Sequence, residues 1–155
     1  MNTQIYNRIR QLTPLSREHE DGMEFVKRIQ DADSNISIDR LRDYTCWYWK
    51  NHIRPHFYQE ERILLPYLPV DHPLAKKLKE DHADIRDLIL ALDFEAEKVS
   101  FEELCDLLVK HIAFEEKRVF PYLEHHLSET ELNSIHKELQ EHPVHTDEWK
   151  DVFWK

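Results

Sequence analysis

The chain has 155 residues, of which 21 are Lys or Arg and 31 are Asp or Glu, giving a net charge of −10 with histidine neutral. That length suits one domain with a sizeable core, and the acidic balance leaves no basic stripe for a nucleic-acid backbone. With 41% hydrophobic and 11% aromatic residues it is too apolar for a disordered acidic chain, and a single glycine speaks against a sheet protein rich in tight turns.

Four long helical patterns and a short fifth follow one another. The first opens near Thr13-Pro14, where a proline costs no helical hydrogen bond, and carries Leu15, His19, Met23, Val26 and Ile29. The polar stretch Gln30 to Asn35 closes it. The second is expected from about Ser34 to Leu65, with a stripe of Ile38, Leu41, Thr45, Tyr48, His52, His56, Glu60 and Ile63 and a kink at Pro55. The three-proline segment PYLPVDHP connects it to the third, which begins after Asp71 and carries Leu74, Leu78, His82, Ile85, Ile89 and Leu92. The fourth is expected to start at a capping box, Ser100 with Glu103, and carries Leu104, Leu108, His111, Glu115, Arg118 and Val119 before Pro121. Ser128 with Glu131 forms a second expected box, opening a short helix with Leu132, Ile135 and Leu139. Trp149, Val152, Phe153 and Trp154 then form an apolar tail expected to dock on the bundle.

The fold class this predicts is all-α: an antiparallel four-helix bundle with a short extra C-terminal helix and a docked tail. One domain is expected over 1–155, with the bundle at about 13–125 and the helix and tail at 127–155. No stretch approaches the apolar length of a membrane span, and MNTQIYNRIR does not read as a signal peptide. Cys46 and Cys105 lack CxxC spacing, so neither a redox motif nor a thiolate metal site is expected, and the cytoplasm is the expected location.

Eleven histidines in this length demand a reason. Each apolar stripe holds one near its middle: His19, His56, His82 and His111. Glu60 and Glu115 follow two of them by four residues, on the same helical face. The spacing alone is weak, since His125 and Glu129 share it at a helix cap. The context is stronger. HFYQEERILLPYL from His56 matches HIAFEEKRVFPYL from His111 at six of 13 positions, and LSREH ending at His19 pairs with LKEDH ending at His82. The chain therefore reads as two copies of a helical hairpin, whose matched polar residues would face each other inside a bundle. Buried polar groups cost several kcal/mol unless satisfied, and metal ligands are built into bundles this way. Imidazole and carboxylate without thiolate suit iron, zinc, manganese or copper. Six ligands exceed one tetrahedral zinc but fit two ions that share both glutamates.

Along these residues the chain resembles the hemerythrin-like (HHE cation-binding) family, over about residues 15 to 123: EH, then HFxxEExxLxPxL, then DH, then HIxFEExxxFPxL. The resemblance implies a four-helix bundle around a non-haem centre of two iron ions. The closest ligand pattern is that of the di-iron proteins for repair of iron centres, here His19, His56, Glu60, His82, His111 and Glu115. Oxygen-carrying members place a carboxylate five residues after the last histidine; here it is four. The expected function is binding, sensing or reaction with a small diatomic or oxidant such as O2, NO or peroxide. Two alternatives stand beside it: buffering or donation of iron, and a structural bundle holding another metal, zinc or manganese. No catalytic residue, nucleic acid or membrane is assigned.

Several further residues carry weaker expectations. Glu61 and Glu116 read as solvated, or paired with Arg62 and Lys117. His52 reads as a polar residue packed near the Pro55 kink, or as a group beside the site. Tyr67 and Tyr122 read as packing at the bundle end, and Arg118 as pairing with a carboxylate or reaching to solvent. His72, His125, His126, His136, His142 and His145 read as surface.

Overall fold

The computed structural model describes residues 9–144 and 148–155. After a single 3-10 turn, Arg10–Leu12, the first rod is α1, Thr13–Gln30. The second is α2 (Ile38–Tyr48) continued by α3 (Arg54–Gln59), the third α4 (Pro73–Phe94), and the fourth α5 (Lys98–Phe114) continued by α6 (Phe120–His126). The short α7 is Glu129–Glu141. Among the described residues there is no strand.

Alternation of the rods is visible in which end of the core each one feeds. One apolar cluster takes Phe25 and Ile29 from α1, Leu41 and Tyr44 from α2, Ile89 and Leu92 from α4, and Phe101 and Leu104 from α5. The other takes Leu15, Ile63, Leu78 and Val119, with Ile135 and Leu139 of α7 closing that end. Each rod enters at the end where the previous one left, so the bundle runs up-down-up-down, as expected. Between the clusters lies a layer of buried polar side chains.

The rods are not uniform. Three wide π turns, Trp49–Ile53, Glu60–Leu64 and Glu115–Val119, interrupt them. Each ends one residue before the residue that precedes a proline: Pro55, Pro66 and Pro121. A proline ring clashes with the carbonyl four residues back and offers no N–H. The chain adapts by letting the residue before each proline donate five residues back instead: Arg54 N–H to Trp49 O, Leu65 N–H to Glu60 O, and Phe120 N–H to Phe120's fifth predecessor, Glu115 O. The kink expected at Pro55 thus takes the form of a wide turn, repeated in both hairpins.

Two boundaries differ from expectation. The second rod starts at Ser37, whose hydroxyl accepts from Arg40 N–H, three residues after Ser34. The box at Ser100 does not form: α5 begins at Lys98, placing Ser100 inside the first turn with its N–H on Glu97 O. His72 is a helix cap, Nδ1 accepting from Leu74 N–H at 3.1 Å. The box of Ser128 and Glu131 is present, with bonds of 3.0 and 3.1 Å.

The tail docks against α1 and α2. Phe153 is buried against Tyr44, Trp149 meets Tyr44 and Trp47, and the Arg28 guanidinium lies 3.9 Å from the Trp154 ring centre. Asp151 receives two bonds from Arg40, at 2.6 and 3.0 Å. Val152 is exposed and takes no part. Burial of one aromatic ring outweighs an exposed ion pair, which is worth at most about 1 kcal/mol. Phe153→Ala is therefore expected to lower unfolding free energy by roughly 3 kcal/mol, and Val152→Ala by less than about 0.5 kcal/mol. Urea titration of the two variants checks this; equal losses would mean the tail is not held through Phe153.

Candidate metal centre

The layer between the two apolar clusters gathers all six expected ligands. His19, His56, His82 and His111 are between 3% and 7% exposed, and Glu60 and Glu115 are fully buried. They fall into two groups, His19, His56, Glu60, Glu115 and Glu60, His82, His111, Glu115, with one ligand atom from each residue lying within 4.8 Å of the others in its group. Both glutamates belong to both groups.

Each imidazole points Nε2 inward. His19 Nε2 and His111 Nε2 lie 3.0 Å from Glu115 Oε1. His82 Nε2 lies 3.1 Å from Glu60 Oε1, and His56 Nε2 3.2 Å from Glu60 Oε2. Each Nδ1 points outward to a second carboxylate. His19 meets Glu116 at 2.6 Å, His56 meets Glu18 at 2.5 Å, His82 meets Glu61 at 2.8 Å and His111 meets Asp81 at 2.9 Å. An Nδ1–H held this way fixes the ring and leaves Nε2 as the ligand atom, the arrangement found behind metal-bound histidines.

Every outer carboxylate serves the histidine of another rod. Glu116 of the fourth rod holds His19 of the first, and Glu61 of the second holds His82 of the third. Glu18 of the first holds His56 of the second, and Asp81 of the third holds His111 of the fourth. The network thus repeats the two-hairpin symmetry. It also corrects the expectation for Glu61 and Glu116. Glu116 is buried and also accepts from the Ser16 hydroxyl, and neither glutamate is merely solvated. Consecutive glutamates project about 100° apart, so one faces the centre and the next the neighbouring rod.

The donor set fits cations on internal evidence. Six carboxylates surround four imidazoles, so with neutral rings the layer carries −6, and two divalent cations would bring it to −2. Among the described residues, Glu60 Oε2, Glu115 Oε2 and His111 Nε2 are buried and make no well-formed hydrogen bond, although Glu60 Oε2 and His111 Nε2 have close polar neighbours. The Nε2 atoms of His19 and His56 face each other at 3.1 Å, which two lone pairs would not tolerate without a proton or a cation. In the metal-free protein burial lowers both imidazoles, but the neighbouring carboxylates raise them further and favour a proton in that role. Burial pushes the His111 imidazole down, but Glu115 and Asp81 hold it up at about 10. Burial pushes Glu115 up, but His111 and the bonds from its neighbours bring it well below the usual carboxylate range.

A cleft of about 190 Å³ reaches the layer, walled by Gly22, Tyr48, His52, Leu108 and Ile112 and touching His19, His56 and His111. Gly22 is the only glycine of the chain, in mid-helix, where it costs roughly 1 kcal/mol relative to alanine. A Cβ there would meet Ile112 Cδ1 at 3.3 Å, so the glycine permits a close approach of α1 to α5. His52 stacks on Tyr48 with ring centres 4.4 Å apart, a packed residue that also walls the cleft. Tyr67 and Tyr122 pack at the far apolar cluster, and Arg118 reaches solvent. His125, His126 and His142 are exposed, His136 is half-buried, and His145 lies outside the described residues.

The sequence profile of the hemerythrin HHE cation-binding domain matches residues 10–123, so the chain belongs to that family. It is a metal-binding helical bundle, of a kind for which iron is the typical metal. No curated protein and no solved structure matches the chain. No helix among the described residues is long and apolar enough to cross a membrane.

The stability of the metal-free protein should depend on pH. His111 is raised, so its contribution to stability is complete below its unfolded value of 6.5 and is lost as pH rises towards about 10. Glu115 is depressed, so its contribution is complete above 4.5 and is lost as pH falls. Melting temperature of the metal-free protein should therefore peak between about pH 5 and 6 and fall steadily towards pH 10. A flat profile across the alkaline limb, recorded by circular dichroism, would contradict the coupling of these groups.

Proposed function

We propose that the protein holds two iron ions in this layer and binds, senses or reacts with a small diatomic or oxidant, O2, NO or peroxide. The observation that carries the reading is that the two four-residue groups share both Glu60 and Glu115. His19 and His56 would complete one ion's protein ligands, and His82 and His111 the other's. Bound there, the irons would supply reversible coordination and electron exchange.

The chain's own residues do the rest. Glu18, Glu61, Asp81 and Glu116 hold the Nδ1–H groups and keep each Nε2 aimed inward. Phe57 and Phe120, stacked on His82 and His19, further fix those rings. The cleft, small and walled largely by apolar side chains, suits a few-atom ligand and excludes a bulky substrate. Cys46 and Cys105 are not paired with each other, which suits a reducing compartment such as the cytoplasm, and burial pushes the Cys105 thiol up to about 12, leaving it unreactive. We read residues 1–155 as one domain.

Metal analysis of iron-loaded protein and its variants tests the reading. The wild type should hold two ions per chain. Glu60→Gln and Glu115→Gln should deplete both, because an amide is a poor bridge and neutralises no charge. His19→Ala should deplete mainly one. Glu61→Gln and Asp81→Asn should keep the ions but weaken affinity about 10- to 100-fold in chelator competition, while the exposed neighbour variant Glu80→Gln should match wild type. One ion per chain, or bridge variants that retain both, would refute the assignment. Spectra of the loaded protein on adding O2, NO or peroxide then test reactivity; no change with any of them would favour an iron store or a structural site.

A further inference from the structure

A second hollow, of about 520 Å³, opens between the second rod and α4 and shares only Phe57 with the cleft. Its charge runs against that of the molecule. Arg54, Arg62, Lys79 and Arg86 line it with a single carboxylate, Glu61, in a chain where acids outnumber bases 31 to 21. That one acid is engaged with His82, 2.8 Å away. Arg86 also bonds its neighbour Asp87, but both side chains are exposed, and such a pair is weak and exchangeable.

Beneath the charges lies an aromatic surface. Trp49 and Phe57 are buried at the floor. Tyr58 stands at the rim, 56% exposed, with the Arg62 guanidinium 5.8 Å from its ring centre. A concave apolar floor with a few convergent charged groups, in the volume range of small-molecule sites, is how ligand pockets are built. Guanidinium forks match carboxylate and phosphate oxygens, and exposed aromatic faces accept planar rings.

We propose that this groove binds a small planar anion, an aromatic phosphate or carboxylate, its charge held by Arg54 and Arg86 and its ring laid against Tyr58 and the Trp49–Phe57 floor. The site adjoins the metal layer. Phe57 stacks on His82 with ring centres 3.7 Å apart and planes 9° apart, and the groove's Glu61 holds His82 Nδ1. Occupancy of the groove therefore alters the setting of one metal ligand, and metal loading alters anion affinity by the same factor. This coupling, unlike the binding itself, rests on the metal assignment above.

Calorimetry on the metal-free protein tests the binding, with AMP and 2-naphthoate as probes and inorganic phosphate and adenosine as controls. Both probes should bind at least tenfold more tightly than either control. The double variant Arg54→Ser, Arg86→Ser should weaken both at least tenfold, with an unchanged circular dichroism spectrum. Backbone amide shifts on adding AMP should fall on residues 49–62 and 79–86. Equal affinity for AMP and phosphate, equal affinity in the double variant, or shifts centred on Gly22 and Leu108 would overturn the proposal. Because no metal is present, such a failure would leave the metal assignment standing. In zinc-loaded protein the AMP affinity should differ from the metal-free value at least threefold. No difference in the loaded wild type would overturn the coupling.

Discussion

Six carboxylates and four imidazoles meet in one layer, of which the four imidazoles, Glu60, Glu115 and Glu116 are buried, and the rest of the molecule is arranged around that concentration of charge. A buried ion costs several kcal/mol unless it is paired. Two apolar clusters, one on either side, supply the burial that offsets this cost. In the metal-free protein burial lowers the four imidazoles, but the surrounding carboxylates raise them further, which favours protons that partly neutralise the layer. Metal ions would replace those protons, so binding and stability are linked through the same atoms. The layer's symmetry follows from the repeated hairpin: each rod offers one histidine inward and one carboxylate to a neighbour.

The three π turns belong to the same economy of design. A proline inside a rod would ordinarily break it, yet each is accommodated by one wide turn just before it. Two of those turns begin at Glu60 and Glu115 themselves. The shared glutamates therefore sit where regular helix gives way to a looser backbone, and the prolines downstream fix where that change occurs. Gly22 makes the complementary concession on α1, giving up helix propensity so that α1 and α5 can approach beside the cleft.

Much of this was legible in the sequence. Helical spacing marked the inward face of every rod, and the match between the segments at His56 and His111 marked which polar residues would meet. The outer carboxylates were not legible from spacing, because periodicity reports a residue's own face and not the rod that will lie against it. Glu61 and Glu116 therefore looked like ordinary surface charges beside Arg62 and Lys117. A signal did exist: Glu18 and Asp81 each precede a histidine, and Glu61 and Glu116 each follow a glutamate, so they are doubled by the same repeat. Helix starts were less certain. Ser100 had the residues of a cap but lay within a turn already begun at Lys98. In the tail, four apolar residues were equivalent by composition, and only tertiary packing separates buried Phe153 from exposed Val152.

The central claim is that two ions share Glu60 and Glu115. Anomalous diffraction from crystals of iron-loaded protein, recorded on either side of the iron absorption edge, tests it most directly. The account predicts two edge-dependent peaks in the buried layer, one beside His19 and His56 and one beside His82 and His111, with both glutamates reaching both. A single peak, or peaks only at surface histidines such as His125 and His126, would contradict it.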